Sequence, residues 1–228
     1  DICNDSLIKD ILFDFQPTYI VNFAAESHVD NSIKDPEKFI NTNILGTFNI
    51  LKNSNQYFNE LNKEKKKKFR LLHISTDEVY GSLDINQPSF REIDRYQPSS
   101  PYSASKASSD HLVLSWFKTY DFPSIVTNCS NNYGPFQFPE KLIPLVIISC
   151  LNEKTIPVYG NGMNLRDWIY VKDHCNAIYE ILIKGKIGEQ YNIGSNNEMK
   201  NIDIIQVICG IMDDKLKDHI EKLIQKSQ

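Results

Sequence analysis

Short apolar runs alternate with long amphipathic ones along this chain, and that alternation is what most narrows the folds open to it. Residues 18–25 (TYIVNFAA), 69–75 (FRLLHIS) and 124–129 (SIVTNC) are short and rich in β-branched or aromatic side chains, the pattern of buried strands. Residues 36–56 place Phe39, Ile40, Ile44, Leu45, Phe48 and Leu51 at helical spacing behind Pro36, which suits a first helical turn. Residues 102–120 read as a second long helix. Strands joined by helices pair in parallel, because only a crossover returns the chain to the same end of the sheet. An α/β fold with a parallel sheet follows.

Past Tyr133 the texture changes. Asn132, Tyr133, Gly134 and Pro135 read as a turn, residues 142–151 as a helix, and residues 157–159, 166–170 and 190–193 as short strands between helices. The expected division is residues 1–133 as one domain and 134–228 as a smaller lobe interleaved with the sheet. The run Lys65 to Lys68 falls between a helical pattern and a strand and reads as a solvated loop.

Composition excludes several classes. With 41% hydrophobic and 11% aromatic residues the chain can bury a core, and a net charge of −4 gives no reason to expect a nucleic-acid partner. Cys3, Cys129, Cys150, Cys175 and Cys209 are odd in number and form no C-x-x-C pair, so neither disulfides nor a metal site is expected. No stretch approaches the roughly 18 apolar residues of a membrane span, and no charged-then-apolar leader opens the chain. A soluble cytoplasmic protein is the expectation. Asp1 stands where a complete chain would have Met, and residues 218–228 read as a helix that simply stops. The sequence therefore reads as an internal piece of a longer protein.

Two constellations carry chemistry. Tyr102 and Lys106 are four apart on an expected helix and share a face, where an ammonium would lower the phenol pKa toward that of a working base. They follow a Pro-Ser-Ser-Pro turn and continue into small residues that allow close approach. Ser75, Thr76, Asp77 and Glu78 close the second strand, at the end of a parallel sheet where ligands bind. Two adjacent carboxyls in a confined site should differ in pKa, giving one proton donor and one acceptor, as an elimination requires. Phe23, Ala24, Ala25, Glu26, Ser27 and His28 close the first strand with small residues that let a flat ligand lie against the backbone, and Asn131 and Asn132 occupy the corresponding place on the third. Arg166 and Lys141 are candidates for gripping a diphosphate.

Taken together, these segments resemble the extended short-chain dehydrogenase/reductases, and within them the dTDP-glucose 4,6-dehydratase family. The matching strings are residues 23–32 (FAAESHVDNS), 75–81 (STDEVYG), 99–111 (SSPYSASKASSDH), 128–144 (NCSNNYGPFQFPEKLIP), 157–173 (PVYGNGMNLRDWIYVKD) and 190–194 (QYNIG). The resemblance implies a Rossmann-type, doubly wound parallel sheet that holds NAD, with its first βαβ unit missing, and a smaller C-terminal lobe for the nucleotide sugar. Tyr102, helped by Lys106 and Thr76, would take the sugar 4-hydroxyl proton during oxidation at C4. Glu78 would then remove the C5 proton while Asp77 protonates the departing 6-hydroxyl, and hydride return to C6 would give the 4-keto-6-deoxy sugar.

By the same resemblance, Asp1, Ile2, Phe23, Ala24, Ala25, Glu26, Ser27, Thr42, Ser75, Tyr102, Lys106 and Asn132 would touch NAD. Ser27, Thr76, Asn131, Lys141, Leu142, Pro157, Tyr159, Arg166 and Asn201 would line the sugar-nucleotide site. Helices near 36–56 and 101–120 would form a four-helix bundle with a second subunit. The glycine-rich turn that normally carries the pyrophosphate would precede Asp1, so this stretch alone is expected to bind NAD poorly. A UDP-glucose 4,6-dehydratase, a UDP-sugar 4-epimerase and a UDP-glucuronate decarboxylase share the Tyr-Lys pair; the Asp77-Glu78 pair argues against the last two. A non-catalytic binding protein on the same fold would be expected to lose one of the five catalytic side chains.

Overall fold

The structure, a computed structural model, describes residues 1–83, 87–158 and 160–226, with side chains as far as residue 217. In chain order the elements begin with α1 (Asp5–Phe15), β1 (Tyr19–Asn22), α2 (Val29–Lys34) and α3 (Pro36–Phe39). A π-helical segment (Ile40–Gly46) leads into α4 (Thr47–Glu60), followed by α5 (Lys63–Lys68), β2 (Arg70–Thr76) and a 3-10 turn (Asp77–Tyr80). Then come α6 (Pro101–Tyr120), β3 (Ser124–Cys129), β4 (Asn131–Tyr133), α7 (Leu142–Leu151), β5 (Leu165–Tyr170) and α8 (Val171–Lys184). The chain finishes with β6 (Gln190–Ile193), β7 (Glu198–Lys200) and α9 (Asn201–Lys226). Two compact units emerge, one of residues 1–129 and 175–193, the other of residues 130–174 and 194–228.

The first unit is Rossmann-like. Its sheet has the order β1-β2-β3-β6 with every pair parallel, as the alternation of strands and helices requires. One core joins α1, α4 and α6 to β2 and β3 through Leu12, Leu51, Tyr57, Phe69, Leu71, Val113, Phe122 and Val126. The Phe69 ring lies 5.8 Å from Tyr57 and 5.9 Å from Phe122, and such aromatic pairs contribute about 0.5–1.5 kcal/mol beyond their burial.

Where the elements differ from expectation, local bonding explains why. β1 ends at Asn22 rather than Ala25 because the Ala24 N–H turns out of the ladder and donates to the Asn22 side chain at 3.1 Å. The lysine run is helical rather than a loop: Asn62 caps α5 by accepting from Lys65 N at 2.9 Å, Lys65, Lys67 and Lys68 are exposed, and half-buried Lys66 donates to the Asn59 carbonyl at 2.9 Å. The helix read at 36–56 runs on to Glu60 but passes through the π segment. That wider turn shifts the register, so Phe39, Ile50 and Leu51 are buried whereas Ile40, Leu45 and Phe48 face out.

The second unit contains a three-stranded sheet of order β4-β5-β7, parallel between β4 and β5 and antiparallel between β5 and β7. The turn expected at 132–135 is a strand as far as Tyr133, and the chain then bends at Gly134, whose φ is 142°. The strand expected at 157–159 is not formed at Pro157 or Val158, and Tyr159 lies outside the described residues. Among the described residues no helix is long and apolar enough to cross a membrane.

Candidate active site

The first unit gathers its chemistry where β1 and β2 end. Helix α6 starts here through a reciprocal cap: Ser103 N donates to Ser100 Oγ at 3.1 Å, and Ser100 N to Ser103 Oγ at 3.0 Å, with Pro101 in the first turn. The cap fixes the first helical turn, and with it Tyr102, which is buried with its ring against Phe39 at 6.3 Å. On the facing strand, Thr76 Oγ1 accepts from Glu78 N at 3.2 Å and so starts the 3-10 turn that carries Asp77 and Glu78. Both carboxyls are half-buried, between buried Thr76 and buried Val79 and Tyr80. The turn closes at Gly81, whose φ is +95° and where a Cβ would stand 2.5 Å from the Gln97 carbonyl oxygen.

Thr76, Asp77, Glu78 and Tyr102 act on one another. Thr76 hydrogen-bonds the Tyr102 phenol, and the charges of Glu78 and Asp77 reach it. Burial is the largest influence and Glu78 the next, and together they hold the phenol pKa well above its ordinary value. The lowering expected from Lys106 is therefore reversed. The lysine ammonium donates instead to the Ile74 carbonyl at 2.7 Å, stitching α6 to β2 one strand residue before buried Ser75. Burial lowers the Lys106 pKa, with Asp110 and then Cys129 opposing.

The loop after β1 is held from both sides. Asn22 accepts from Ala24 N, and Asn43, on the π segment, accepts from Glu26 N at 2.8 Å while donating to Glu26 O at 3.0 Å and Ser105 Oγ at 2.8 Å. Phe23, Ala24 and Ser27 are left exposed on a loop whose backbone is fixed, with Thr42 half-buried on the π segment. Ile2 packs against Gly46 so closely that a Cβ there would lie 2.6 Å from it, and the Asp1 carboxylate accepts from Cys3 N at 2.8 Å. Asn43, buried and bonded to both the loop and α6, is a positioning residue that sequence reasoning missed. A polar residue in an amphipathic helix carries no signal that its amide will turn inward, and only the π register puts it there.

The other residues named from sequence belong to the second unit. Asn131 and Asn132 lie on β4, and Asn132 Oδ1 is 2.8 Å from His174 Nδ1. Lys141 occupies the N-cap position of α7 and Leu142 begins that helix. Arg166 is exposed on β5, Pro157 is exposed between α7 and β5, and Asn201 begins α9, its N–H donating to Asn164 O at 3.0 Å.

The family model described as GDP-mannose 4,6 dehydratase matches residues 1–227. A dTDP-glucose 4,6-dehydratase of Escherichia coli is 54% identical over 226 residues, which is 96% of this chain and 62% of that protein. Among solved structures, a dTDP-glucose 4,6-dehydratase of Bacillus anthracis in complex with NAD is 44% identical, with a TM-score of 0.81 over 93% of this chain and 63% of that one. Another, from Streptomyces venezuelae with NAD and TYD bound, is 40% identical, with a TM-score of 0.83 over 95% of this chain and 62% of that one. The chain thus spans about three fifths of the length of the relatives it matches. On the extent of these matches, together with its parallel sheet, the chain belongs to the GDP-mannose 4,6 dehydratase family.

Proposed function

We propose that the protein carrying this chain converts a nucleoside-diphosphate glucose, dTDP-glucose in preference to UDP-glucose, into its 4-keto-6-deoxy sugar with the help of NAD. The observation that supports this most is the Asp77-Glu78 pair beside Tyr102, two carboxyls and a phenol at the end of one strand. Epimerisation at C4 needs no second acid–base pair, whereas loss of water across C5 and C6 needs one group to remove a proton and another to deliver one. The names of the 54% and 44% identical relatives favour the dTDP sugar.

The exposed loop from Phe23 to Ser27, its backbone preset by Asn22 and Asn43, fits a flat dinucleotide ring system. Phe23, Ala24, Ala25, Glu26, Ser27, Thr42, Ser75, Tyr102 and Lys106 would hold NAD, with Asp1, Ile2 and Asn132. When bound, NAD supplies reversible hydride acceptance. Tyr102, hydrogen-bonded to Thr76, takes the proton of the sugar 4-hydroxyl. Lys106 supplies positive charge behind it. Glu78 removes the C5 proton made acidic by the new 4-ketone, and Asp77 protonates the leaving 6-hydroxyl. Ser27, Asn131, Lys141, Leu142, Pro157, Arg166 and Asn201, with Tyr159, would bind the sugar nucleotide. The outward-facing Ile40, Leu45 and Phe48 support a homodimer built on the helices near 36–56 and 101–120.

The deciding experiment incubates the intact protein with dTDP-glucose and UDP-glucose separately and follows the alkaline absorbance of a 4-keto sugar. Product from dTDP-glucose is expected. Product from UDP-glucose alone would reassign the nucleotide, and a C4 epimer or no product from either would overturn the dehydratase reading.

A further inference from the structure

Around Lys106 the first unit encloses a polar network, and the proposed chemistry uses none of its other members. Asp110 is wholly buried and lies one helical turn beyond Lys106 on α6. Its Oδ2 accepts from the Tyr96 hydroxyl at 3.0 Å and from Asn128 Nδ2 at 3.0 Å. Its Oδ1 is 3.5 Å from His73 Nε2. The same ring nitrogen stands 3.2 Å from Ser109 Oγ and 3.4 Å from Lys106 Nζ.

The hydrogen bonds fix which His73 nitrogen carries the proton. Asn22 Oδ1 accepts from Ala24 N, so its amide faces His73 with the NH2 group and donates to Nδ1 at 3.2 Å. Burial, with Lys106 beside it, holds the imidazole neutral, pushing its pKa well below the ordinary value. A neutral ring that accepts at Nδ1 carries its hydrogen on Nε2, directed at Ser109 and Asp110. Lys106 therefore faces another donor at 3.4 Å, not an acceptor, and among the described residues its ammonium donates to the neutral Ile74 carbonyl. A buried ammonium so placed needs a negative charge close by, and Asp110 supplies it.

We propose that Asp110 is a positioning residue for Lys106: its buried carboxylate is the counter-charge that keeps the lysine an ammonium. The role Lys106 then plays rests on the dehydratase reading above; the Asp110–Lys106 linkage does not. The other titratable groups facing this pair are Cys129 on β3, Tyr96 in the loop before α6, and Tyr80 on the 3-10 turn.

The test follows the Lys106 13Cε resonance of the intact protein by NMR as a function of pH, the signal being assigned with a Lys106→Met variant. Burial raises Asp110 to about 6, so the wild-type signal should show a step near that pH. Asp110→Asn should abolish the step and bring deprotonation of Lys106 down by a pH unit or more. Tyr96→Phe, which removes a hydroxyl that stabilises the Asp110 carboxylate, should move the step to higher pH and decides the matter even where Asp110→Asn fails to fold. With turnover, Asp110→Asn should move the alkaline limb of the kcat profile down by about the same amount while KM for the sugar nucleotide stays within twofold. No step in the wild type, or a Lys106 titration unchanged in Asp110→Asn, would overturn the proposal. Absence of turnover in the wild type with the NMR linkage intact would sink the dehydratase reading and leave this one standing.

Discussion

At the scale of single residues, the phenol of Tyr102 responds to its neighbours in a way that mutation can read. Glu78 is the largest charge raising its pKa, second only to burial. Glu78→Gln should therefore bring the phenol down toward its ordinary value, though burial keeps it above; 13Cζ-tyrosine NMR across pH reads this directly. Removing a general base costs typically 10²- to 10⁴-fold, so the same variant should lose turnover by about that factor. An unmoved phenol together with full activity would remove Glu78 from the site. Gly81→Ala should be more damaging than its size suggests, because a Cβ at 2.5 Å from the Gln97 carbonyl, at φ +95°, forces the acidic turn to open. Circular dichroism melts should show destabilisation with loss of turnover. Thr76, Asp77, Glu78 and Tyr102 were legible as a group because a strand end and a helix start are local features. The destination of Lys106 was not, since spacing of four residues says which face it shares but not which carbonyl it reaches across the sheet.

At the scale of elements, the π segment decides how the loop after β1 is held. Asn43 makes three hydrogen bonds, two of them to Glu26 backbone groups. Asn43→Ala would strand those groups in a part-buried setting, at a cost of about 2–4 kcal/mol from the lost bonds and their unpaired partners. The expected result is a lower urea midpoint and weaker NAD binding by calorimetry, with Ser105→Ala showing a smaller effect, because it removes one of the three bonds and Ser105's own bond to the Tyr102 carbonyl but strands no loop backbone group. Equal effects from the two variants would remove Asn43 from its special place. The helix itself was readable from its apolar spacing. Its π turn was not: one extra residue per turn leaves no mark on composition, and it is the exposure of Ile40, Leu45 and Phe48 beside buried Phe39 and Leu51 that reveals the shift. The α5 lysines misled in the opposite direction, because a charge run resembles a loop while Asn62 supplies the cap that makes it a helix.

At the scale of the whole molecule, the parallel sheet followed from the alternation of strand and helix, whereas the buried proton-binding groups inside it could not be seen in a linear string. His73 sits in an apolar-looking strand, FRLLHIS, yet it is wholly buried and neutral. Its folded pKa lies well below 6.5, so between those values the unfolded chain binds the extra proton and stability falls as pH drops through 6.5. Asp110 works the other way. Its folded pKa of about 6 exceeds 3.8, so between about 6 and 3.8 the folded chain binds the extra proton and stability is gained as pH falls. The two slopes oppose each other as pH falls below about 6. Asp110→Asn removes the second and should leave the first uncovered, so that unfolding free energy measured in urea falls more steeply between pH 6 and 4 than in wild type, by up to about 1.4 kcal/mol per pH unit for one proton. His174, also lowered by burial, contributes equally to both proteins and cancels in the comparison. Parallel curves for the two proteins would mean that Asp110 is already ionised throughout this range, and that the buried pair does not exchange protons with folding.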